Sequence, residues 1–356
     1  MSPLSDNNES SGDSRQTLEF LWSGALAAQA LCVAAELGIA DLVANGPRSA
    51  AELAQATKAH GPSLHRLLRA LASIGVFAQD ALGRFGRTPL SDSLRTPQMQ
   101  AKAAMLRASF VWRSWGSLGE TVMSGRPAFD QVHGKSLYDY LDGHPVDAAI
   151  FNAAMTAGSS MGIRALLTAY DFSRFQKIAD IGGGHGALLR AILLRHPGVR
   201  GILFDLPAVV AGAGIPRRGA VTDRCEIVGG DFFKSVPPGA DAYLLKSVIH
   251  NWDDADGVRI LGNCHRQMRS DGTLLLVETV LDQPAEATSS ELFMDLMMAT
   301  LSKGKERTAA EFEELLSKAG FKLIRIIAVP GADSILESRP VRPRLSPGKR
   351  KRRTTG

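Results

Sequence analysis

The stretch KIADIGGGHGALLRAIL, residues 177–193, has the pattern of a strand, a glycine-rich turn and the start of a helix. Lys177–Ile181 is short and mostly apolar and runs directly into glycine, as a buried strand does. Gly182, Gly184 and Gly186 can adopt backbone conformations that other residues avoid, so the backbone can approach a ligand closely. The following helix presents an electropositive N-terminus to the same place. This order predicts an α/β fold with a ligand-binding loop after a strand.

The glycine turn fits two ligand-binding patterns. Through Ala187 it has the form Gly-x-Gly-x-x-Ala, which is typical of loops that bind a dinucleotide. As Gly-x-Gly-x-Gly preceded by Asp180, it is typical of loops that bind S-adenosylmethionine. A tight turn without a ligand has a similar composition. The motif alone therefore leaves three interpretations open.

Residues after Tyr170 alternate between short apolar runs and helical patterns. Such alternation is typical of a mostly parallel sheet with helices on both faces, a Rossmann-like arrangement. The predicted strands are Lys177–Ile181, Gly201–Asp205, Cys225–Val228, Ala242–Lys246, Thr273–Glu278 and Leu323–Val329, with Ser334–Glu337 as a last, antiparallel strand. The predicted helices are 186–195, 257–269 and 308–319.

Charged residues lie at or just after the ends of these strands. Asp180 and Asp205 end the first two strands, and Asp231 follows the third. Lys246 and Glu278 end the next two. Ligands of open α/β sheets bind beyond the carboxyl ends of the strands, so we expect the five side chains around one site. Asp205 lies about 20 residues after the loop, where a carboxylate can bind ribose hydroxyls.

The N-terminal half carries mostly helical patterns. Ser49 and Glu52 form a capping-box pattern, and Ser63 is a candidate cap for the next helix. A hairpin pattern around Gly83 follows, and helix, turn, helix and hairpin together are typical of a winged helix. The sequence thus predicts a disordered N-terminus (1–16), a helical winged-helix-like domain (17–100), a helical linker (101–170), an α/β domain (171–340) and a basic, disordered tail (341–356).

The distribution of charge argues against a nucleic-acid partner. The chain has 356 residues, 41 of them basic and 36 acidic, with a net charge of +5. Seven of the basic residues lie in 341–356, and the remaining 34 are outnumbered by the acids. The basic character therefore belongs to a tail and not to a domain face. The three cysteines, Cys32, Cys225 and Cys264, are far apart, so we expect no cysteine-based metal site and a reducing compartment.

The most apolar stretch is Phe20–Ala35, 16 residues between two glutamates. A helix that spans a bilayer needs about 20 residues, so we interpret this stretch as a buried or interface helix. The polar N-terminus lacks the basic and apolar regions of a secretory signal. We therefore expect a soluble, cytoplasmic protein without a membrane partner.

Several strings occur in a fixed order along the chain. They are IADIGGGHG (178–186), FDLP (204–207), GGDFF (229–233), LLKSVIHNWDD (244–254) and GKERT (304–308). Together with the helical N-terminal half, they resemble the S-adenosylmethionine-dependent O-methyltransferases typified by the plant caffeic acid and flavonoid enzymes. The acetylserotonin enzyme and many bacterial antibiotic and pigment enzymes belong to the same group. The resemblance covers about residues 17–340.

The resemblance implies a donor site for S-adenosylmethionine, with S-adenosylhomocysteine as the product. Asp205 would bind the ribose, with Leu206 beside the adenine. Asp231 and Phe232 would hold the adenine by its amino group and its face. The glycine loop would cradle the methionine part of the donor. The remaining donor-site residues would be Asp180, Gly182, Gly183, Gly184 and Lys246.

The same resemblance implies His250 as the general base, flanked and oriented by Glu278 and Glu306. It implies that the N-terminal domain forms a homodimer and lends residues to the partner's active site. It also places an aromatic acceptor near the base. The residues expected to contact this acceptor are Phe151, Met155, Asn251, Trp252, Met294 and Met298.

These residue types fit the chemistry of methyl transfer to a hydroxyl. The acceptor oxygen must lie in line with the S–CH3 bond, about 3 Å from the methyl, and must lose its proton. A phenol has a pKa of about 10 and imidazole about 6.5, so proton removal must accompany methyl transfer. A carboxylate on the far ring nitrogen would stabilise the imidazolium. Glu278 and Glu306 lie 28 and 56 residues after His250, so only the fold can assemble them.

The chain departs from the family pattern at a few positions. His185 stands where the loop often has threonine, and Asn251 stands where many plant members have aspartate. Gly158 and Leu301 fall in stretches where plant enzymes place polar acceptor contacts. The acceptor pocket is therefore expected to be apolar and to suit a polycyclic or quinone-like phenol.

Three alternatives compete with O-methylation. A DNA-binding regulator would use His65, Arg66 and Arg69 on the recognition helix of a winged helix. An NAD-dependent oxidoreductase would use the fingerprint Gly182–Ala187 but would leave the predicted base without a role. The same donor-binding scaffold could also support N-methylation, decarboxylation or hydroxylation.

Overall fold

The structure is a computed structural model that describes residues 7–160, 162–215, 219, 221–281 and 288–341. The chain divides into two compact units, of which the first comprises Met1–Gly116 and Tyr138–Gly158. The second comprises Ser117–Leu137 and Ser159–Gly356. The predicted linker 101–170 is therefore not a segment of its own, because its helices are divided between the two units.

Helices dominate the first half of the chain and separate the strands of the second half. The α-helices are α1 (Asn7–Glu36), α2 (Ile39–Leu42), α3 (Ala50–Thr57), α4 (Gly61–Ser73), α5 (Pro89–Leu94), α6 (Pro97–Arg107), α7 (Ser109–Trp115), α8 (Leu118–Ser124), α9 (Ala128–His133), α10 (Leu137–Asp142), α11 (Pro145–Ser160), α12 (Ile163–Ala169), α13 (Ala187–Arg195), α14 (Pro207–Val210), α15 (Asp254–Gln267), α16 (Ser289–Leu301) and α17 (Ala309–Lys318). Single 3-10 turns cover Phe172–Arg174, Thr222–Arg224 and Ile249–Asn251.

The first unit packs its N-terminal helices around a small apolar core. The predicted capping box is confirmed, because Ser49 and Glu52 exchange side-chain and backbone hydrogen bonds at the start of α3. A two-stranded antiparallel hairpin, β1 (Ala78–Gln79) and β2 (Phe85–Gly86), follows α4. Its strands are only two residues long, and the winged-helix description of this unit stays a prediction. The largest core side chains are Phe77, Phe85, Leu53, Leu68 and Leu71.

Helix α1 begins at Asn7, inside the segment 1–16 that composition predicts to be disordered, and residues 1–6 lie outside the described residues. One expectation for this half is wrong. Ser63 does not cap α4, which begins two residues earlier at Gly61, and its hydroxyl instead contacts the His60 ring at 2.9 Å.

The second unit is a seven-stranded sheet, as the alternating pattern predicts. Its order is β5-β4-β3-β6-β7-β9-β8. The strands from β5 to β7 are parallel, and β9 runs antiparallel to both of its neighbours. The strands are β3 (Lys177–Ile181), β4 (Arg200–Asp205), β5 (Cys225–Gly229), β6 (Ala242–Lys246), β7 (Thr273–Glu278), β8 (Phe321–Ile327) and β9 (Ser334–Pro340).

The predicted strand and helix positions agree with this sheet within a few residues. Strand β9 extends three residues beyond its predicted end, to Pro340, and β8 begins at Phe321 instead of Leu323. Gly320 has a φ of 86°, so the chain turns from α17 directly into the strand. Helix α15 likewise begins at Asp254, earlier than expected, because the side chain of Asp253 caps its first turn.

Apolar clusters cover both faces of the sheet. One contains Tyr243, Ile260 and Phe312, and the other contains Leu189, Leu203 and Leu244. Since both faces are buried, a ligand can reach the parallel strands only at their ends. The carboxyl ends of β3, β4, β6 and β7 meet at one edge, and this edge carries the predicted site residues.

Candidate active site

The glycine loop after β3 is shaped by close backbone contacts. Gly182 has a φ of 68°, and a Cβ atom there would lie 2.8 Å from a methyl group of Val248. Gly184 has a φ of 58° but no atom within 4 Å of a Cβ position, so this side of the loop is open. The loop therefore packs tightly on one side and can receive a ligand on the other.

Asp205 holds the open side of the loop from the end of β4. One carboxylate oxygen accepts the amide of Gly184 at 2.8 Å, and the other accepts the amide of Leu206 at 2.7 Å. Burial raises the pKa of Asp205, although these two amides oppose the shift. The carboxylate stays partly accessible beside the loop, which fits a group that binds ribose hydroxyls.

Asp180 lies beneath the loop and not on its open side. Its side chain is buried, and a Cβ atom on Gly183 would lie 2.7 Å from the carboxylate. Burial and the nearby charge of Asp205 raise the pKa of Asp180 to about 7, against the opposing effect of Lys246. This position favours support of the loop over the predicted direct contact with the donor.

An aromatic cluster lies beyond β5. The ring of Phe232 meets the rings of Phe233 and Trp252 edge to face, with centroids 5.1 and 5.9 Å away. Asp231 accepts the amide of Phe233 at 2.9 Å, which orders the turn. The predicted adenine-binding residues therefore lie together. Trp252 packs into this cluster, and its predicted contact with the acceptor stays a prediction.

Lys246 ends β6 with its ammonium already paired. The side chain is about 10% exposed and lies 3.2 Å from a carboxylate oxygen of Asp333. The other oxygen of Asp333 accepts the hydroxyl of Thr279 at 3.3 Å. Sequence reasoning missed Asp333, because nothing local distinguishes it in the loop before β9. The predicted contact of Lys246 with the donor stays a prediction.

His250 lies in the single 3-10 turn after β6, between two buried carboxylates. Its Nδ1 is 3.0 Å from Oε1 of Glu306 and 3.8 Å from Oε2 of Glu278. Both carboxylates contact the same ring nitrogen, so Nδ1 carries the proton when the ring is neutral. The lone pair is then on Nε2, which has no hydrogen-bond partner among the described residues. The predicted triad is thus assembled by the fold.

The two carboxylates change the basicity of the imidazole. Burial by itself would lower the pKa of His250, but Glu278 and Glu306 outweigh it and raise the pKa to about 9. Burial raises the pKa of Glu278 to about 7, with the charge of His250 opposing this shift. The imidazole is thus a stronger base than a free histidine.

Glu278 also shapes the turn that carries the histidine. Its Oε1 accepts the amides of Val248 and Ile249 at 3.0 and 2.7 Å. Ser247, just before them, has a φ of 53°, an uncommon value for a residue with a side chain. This left-handed residue turns the chain so that both amides point at the carboxylate. The strain lies at the candidate active site, as is typical of such residues.

Asn251 locks the same turn from its other end. Its side-chain amide donates to the carbonyl oxygens of Ser247 and Val248 at 3.1 and 3.3 Å. A carboxylate at this position could not make these bonds, because it has no hydrogen to donate. The departure from aspartate thus has a structural explanation within the turn. It favours a positioning role for Asn251 over the predicted acceptor contact.

The remaining acceptor residues lie on two helices that belong to different units. Met294 and Met298 lie on α16 in the second unit, with Met294 45% exposed and Met298 partly buried. Phe151 and Met155 lie on α11 in the first unit, where Phe151 is buried and Met155 is exposed. That these four residues contact the acceptor stays a prediction.

Sequence reasoning missed two further residues around the base. Arg307, next to Glu306, is the largest fully buried side chain among the described residues. Asp295 on α16 accepts the backbone amide of Glu306 at 2.8 Å. Arg307 lies within the GKERT string, but a basic residue between polar neighbours is more often exposed, so the string did not indicate that its side chain is buried. Asp295 had no such signal.

The described residues include no group of histidines, cysteines and acids that could hold a metal ion. One described helix, Ser14–Glu36, is long and apolar enough to cross a bilayer by length and composition. A single helix of this kind does not establish a membrane span, because core helices of soluble proteins and signal sequences have the same length and composition. The absence of a membrane partner stays a prediction.

The sheet order and the loop define a class of protein. A glycine loop after β3, an acid at the end of β4 and an antiparallel β9 inserted between β7 and β8 form the class I methyltransferase arrangement. Proteins of this class bind S-adenosylmethionine at the carboxyl edge of the sheet, where this chain places Gly184, Asp205 and Phe232. The residues present fit that donor, since the loop is open there and the carboxylate faces it.

Comparison with known families identifies the chain further. Residues 115–322 match the model of the O-methyltransferase domain, and residues 20–97 match that of the O-methyltransferase dimerisation domain. The chain therefore belongs to the O-methyltransferase family and is an S-adenosylmethionine-dependent O-methyltransferase. This confirms the resemblance found in the sequence, the fold class and the donor.

The curated relatives are enzymes of bacterial natural-product pathways. The chain is 44% identical to a phenazine O-methyltransferase of Lysobacter antibioticus over 316 residues, 88% of this chain and 92% of that protein. It is 41% identical to the mitomycin biosynthesis 6-O-methyltransferase of Streptomyces lavendulae, over 87% of this chain and 90% of that protein. Two relatives, 35% and 30% identical, are N-methyltransferases of Streptomyces davaonensis and Pseudomonas aeruginosa.

Solved structures agree with this family. An O-methyltransferase from neocarzinostatin biosynthesis, in complex with S-adenosylhomocysteine and 1,4-dihydroxy-2-naphthoic acid, has a TM-score of 0.77 and 33% identity, with 88% of this chain and 96% of that one covered. Human N-acetylserotonin methyltransferase in complex with S-adenosylmethionine has a TM-score of 0.83 and 27% identity, with 96% and 100% covered. The acetylserotonin type of enzyme is therefore confirmed.

Proposed function

We propose that this enzyme methylates a phenolic hydroxyl of an aromatic natural product in an antibiotic pathway, with His250 as the general base. The single observation that supports this most strongly is the pair of buried carboxylates on one imidazole nitrogen. Glu306 lies 3.0 Å and Glu278 3.8 Å from Nδ1, which leaves Nε2 for the acceptor.

The geometry supports a defined path for the proton. The donor supplies a methyl group on a positively charged sulfur, and the electrons of the breaking S–CH3 bond return to that sulfur. As the acceptor oxygen bonds the methyl, its proton moves to Nε2 of His250. Glu278 and Glu306 then stabilise the imidazolium. A pKa near 9 matches a phenol of about 10 better than an ordinary imidazole does.

The class of acceptor rests on the relatives and on the apolar character of α16. Relatives act on phenazine and mitomycin skeletons, and one solved relative holds a dihydroxynaphthoic acid. In this chain α16 presents partly exposed Phe293, Met294 and Leu296. Apolar side chains of this kind suit a fused aromatic ring, and methionine adapts its shape to it.

The proposal is tested by S-adenosylhomocysteine release with a panel of phenols, hydroxyquinones, hydroxynaphthoates and hydroxyphenazines. His250→Ala should lower turnover at least about 100-fold while the calorimetric affinity for S-adenosylhomocysteine stays unchanged. His265→Ala is the matched control, because that ring packs against Phe321 on the same unit and has no role in the proposed reaction. Equal turnover in His250→Ala and the wild type would remove the base from the mechanism.

N-methylation is the second candidate, because two relatives are N-methyltransferases. A ring nitrogen attacks with its lone pair and carries no proton to remove, so it needs no base. An acceptor that the His250→Ala variant methylates as fast as the wild type would indicate this reaction. A product lighter than the acceptor by carbon dioxide would instead indicate decarboxylation, and one heavier by a single oxygen atom would indicate hydroxylation.

We further propose that the enzyme is a cytoplasmic homodimer that binds no nucleic acid. The matched dimerisation domain begins at residue 20, and α1 exposes Leu18, Phe20, Leu21, Trp22 and Leu26. Exposed apolar side chains on one helix are typical of a surface that another protein covers. Light scattering should give twice the monomer mass, and Trp22→Glu should lower it.

A further inference from the structure

Arg307 is unusual because its charged side chain is fully buried. The side chain has 0% exposure, and among the described residues its charged partner is the half-exposed Asp254, at 2.9 Å. A buried guanidinium is costly unless its hydrogen-bond donors are satisfied. The hydrogen-bond acceptors of the guanidinium therefore indicate the role of Arg307.

The guanidinium binds both ends of the turn that carries the base. Nη1 donates to the carbonyl of Ile249 at 3.1 Å, and Nη2 donates to the carbonyl of Trp252 at 2.8 Å. These carbonyls stand on either side of His250 and Asn251. The planar fork reaches the two acceptors from two separate nitrogens in a fixed geometry, whereas an ammonium offers all of its donors from a single nitrogen.

The neighbours of Arg307 contact the same turn. A Cβ atom on Gly304 would collide with the carbonyl oxygen of His250, so the two backbones are in direct contact. The carboxylate of Glu306 binds the imidazole, and Asp295 holds the amide of Glu306. The backbone carbonyl of Arg307 accepts the amide of Leu281 at 2.9 Å, beyond the strand that bears Glu278. Residues 304–307 therefore form a brace, a segment that fixes the base and its carboxylates together.

We propose that Arg307 is a positioning residue for the reaction, which fixes the His250 turn against Glu306 so that Nε2 points at the acceptor. The proposal rests on the function of His250 given above. A displacement of about 1 Å in a catalytic group can lower the rate about 100-fold. Without the hydrogen bonds from Arg307, the turn should position the imidazole of His250 less precisely, and the imidazole should be a less effective base.

The first test is Arg307→Lys, which keeps the positive charge but loses the fork. We expect kcat per donor-binding site to fall about 10- to 100-fold, with the calorimetric affinity for S-adenosylhomocysteine unchanged. The acid limb of the kcat profile should move to lower pH, because a looser contact with Glu306 lowers the pKa of His250. If Arg307 only stabilised the fold, its replacement would not move the acid limb of the kcat profile.

Arg224→Lys is the matched control. Its guanidinium also donates to main-chain carbonyls, those of Leu193 and Val199, at 2.7 and 2.6 Å, but at the end of α13. The same substitution there should lower the melting temperature and leave kcat and its pH profile as in the wild type. If Arg307→Lys behaves like Arg224→Lys, Arg307 only stabilises the fold and the proposal fails.

A double-mutant cycle separates this proposal from the function of His250. With His250 already replaced by alanine, Arg307→Lys should lower the residual turnover no further. An undiminished further loss would show that Arg307 acts elsewhere and would overturn the proposal. If His250→Ala itself retains full turnover, the proposed function fails first, whatever Arg307 does.

A milder variant covers the case in which Arg307→Lys does not fold. Asp254 anchors the guanidinium from a half-exposed position, so Asp254→Ala should leave the fold intact. It should lower kcat several-fold and move the acid limb in the same direction. A kcat and an acid limb identical to those of the wild type would again overturn the proposal.

Discussion

The donor side and the base side of this active site are built in different ways. On the donor side, the loop at 182–186 is shaped by backbone conformation, and Asp205 lies only one strand further along the chain. On the base side, His250 depends on Glu278, Glu306 and Arg307, which follow it by 28 to 57 residues. One side is local backbone geometry, and the other is an assembly of buried charges.

The difference determines how each side can fail. A backbone loop fails when a side chain is added, because an extra atom has no space and an unfavourable φ has a direct cost. A charge assembly fails when one partner is removed, because the others remain buried without compensation. Donor affinity and turnover should therefore respond to different substitutions.

The largest effect is expected on the donor side, for Gly182→Ala. The positive φ costs about 1–2 kcal/mol and the contact with Val248 about 1–3 kcal/mol more, so the loop loses about 3 kcal/mol. Affinity for S-adenosylhomocysteine, measured by calorimetry, should fall about 100-fold. Gly184→Ala is the control, because it has a similar φ but open space around a Cβ, and should cost about 1 kcal/mol. Equal losses in both variants would contradict the steric argument.

The next effect concerns stability against pH on the base side. In the folded protein the pKa of His250 is raised to about 9. Its contribution to the free energy of unfolding is therefore fully present below the ordinary histidine pKa of about 6.5 and is lost as the pH rises through 9. The wild type should therefore lose up to about 3 kcal/mol more than His250→Gln between pH 7 and 10. Denaturant unfolding of both proteins measures this, and His265→Gln should follow the wild type. Parallel curves for all three would show that the carboxylates do not stabilise the imidazolium.

Glu306→Gln sharpens the comparison by removing one charge and keeping the shape. The loss of a charge-assisted hydrogen bond of about 2 kcal/mol should lower kcat about 30-fold. The pKa of His250 should fall, so the acid limb of the profile moves to lower pH, and donor affinity should not change. Glu313→Gln, on the exposed face of α17, is the control and should leave kcat unchanged. A weaker donor affinity in Glu306→Gln would show that the base side also affects donor binding, which would contradict the separation of the two sides.

The smallest effect is expected for Asn251→Asp. The variant loses two hydrogen bonds within the turn and should lower the stability by about 1 kcal/mol, with a few-fold loss of kcat. Asn251→Ala separates the lost bonds from the added charge. If the aspartate variant is as stable as the wild type, the amide does not lock the turn.

Much of the fold was predictable because its signals are local. The apolar runs of β3, β6 and β7 were predicted at their observed bounds, and the capping box at Ser49 depends on residues three positions apart. An error arose where a local signal was overridden by its neighbours. Ser63 has a capping side chain, yet the helix begins before it.

The candidate site was predictable only in part. His250 and Glu306 were found through the order of short strings and Glu278 as the acid that ends a predicted strand, and the structure brings the three together. Trp252 and Asn251 contact the aromatic cluster and the turn itself, and the acceptor contacts assigned to them stay predictions. Arg307, Asp295 and Asp333 were missed, because the burial and partners of a charged residue do not appear in its local sequence.

The sequence by itself determined the class of chemistry. A glycine loop after a strand and an acid at the end of the next strand are linked by short stretches of chain. Their pattern in the sequence is therefore enough to predict the donor site. Only the tertiary structure decided which charges surround the base. Coulomb interactions act across space and strengthen with burial, so the basicity of His250 depends on Glu278, Glu306 and the whole fold that buries them.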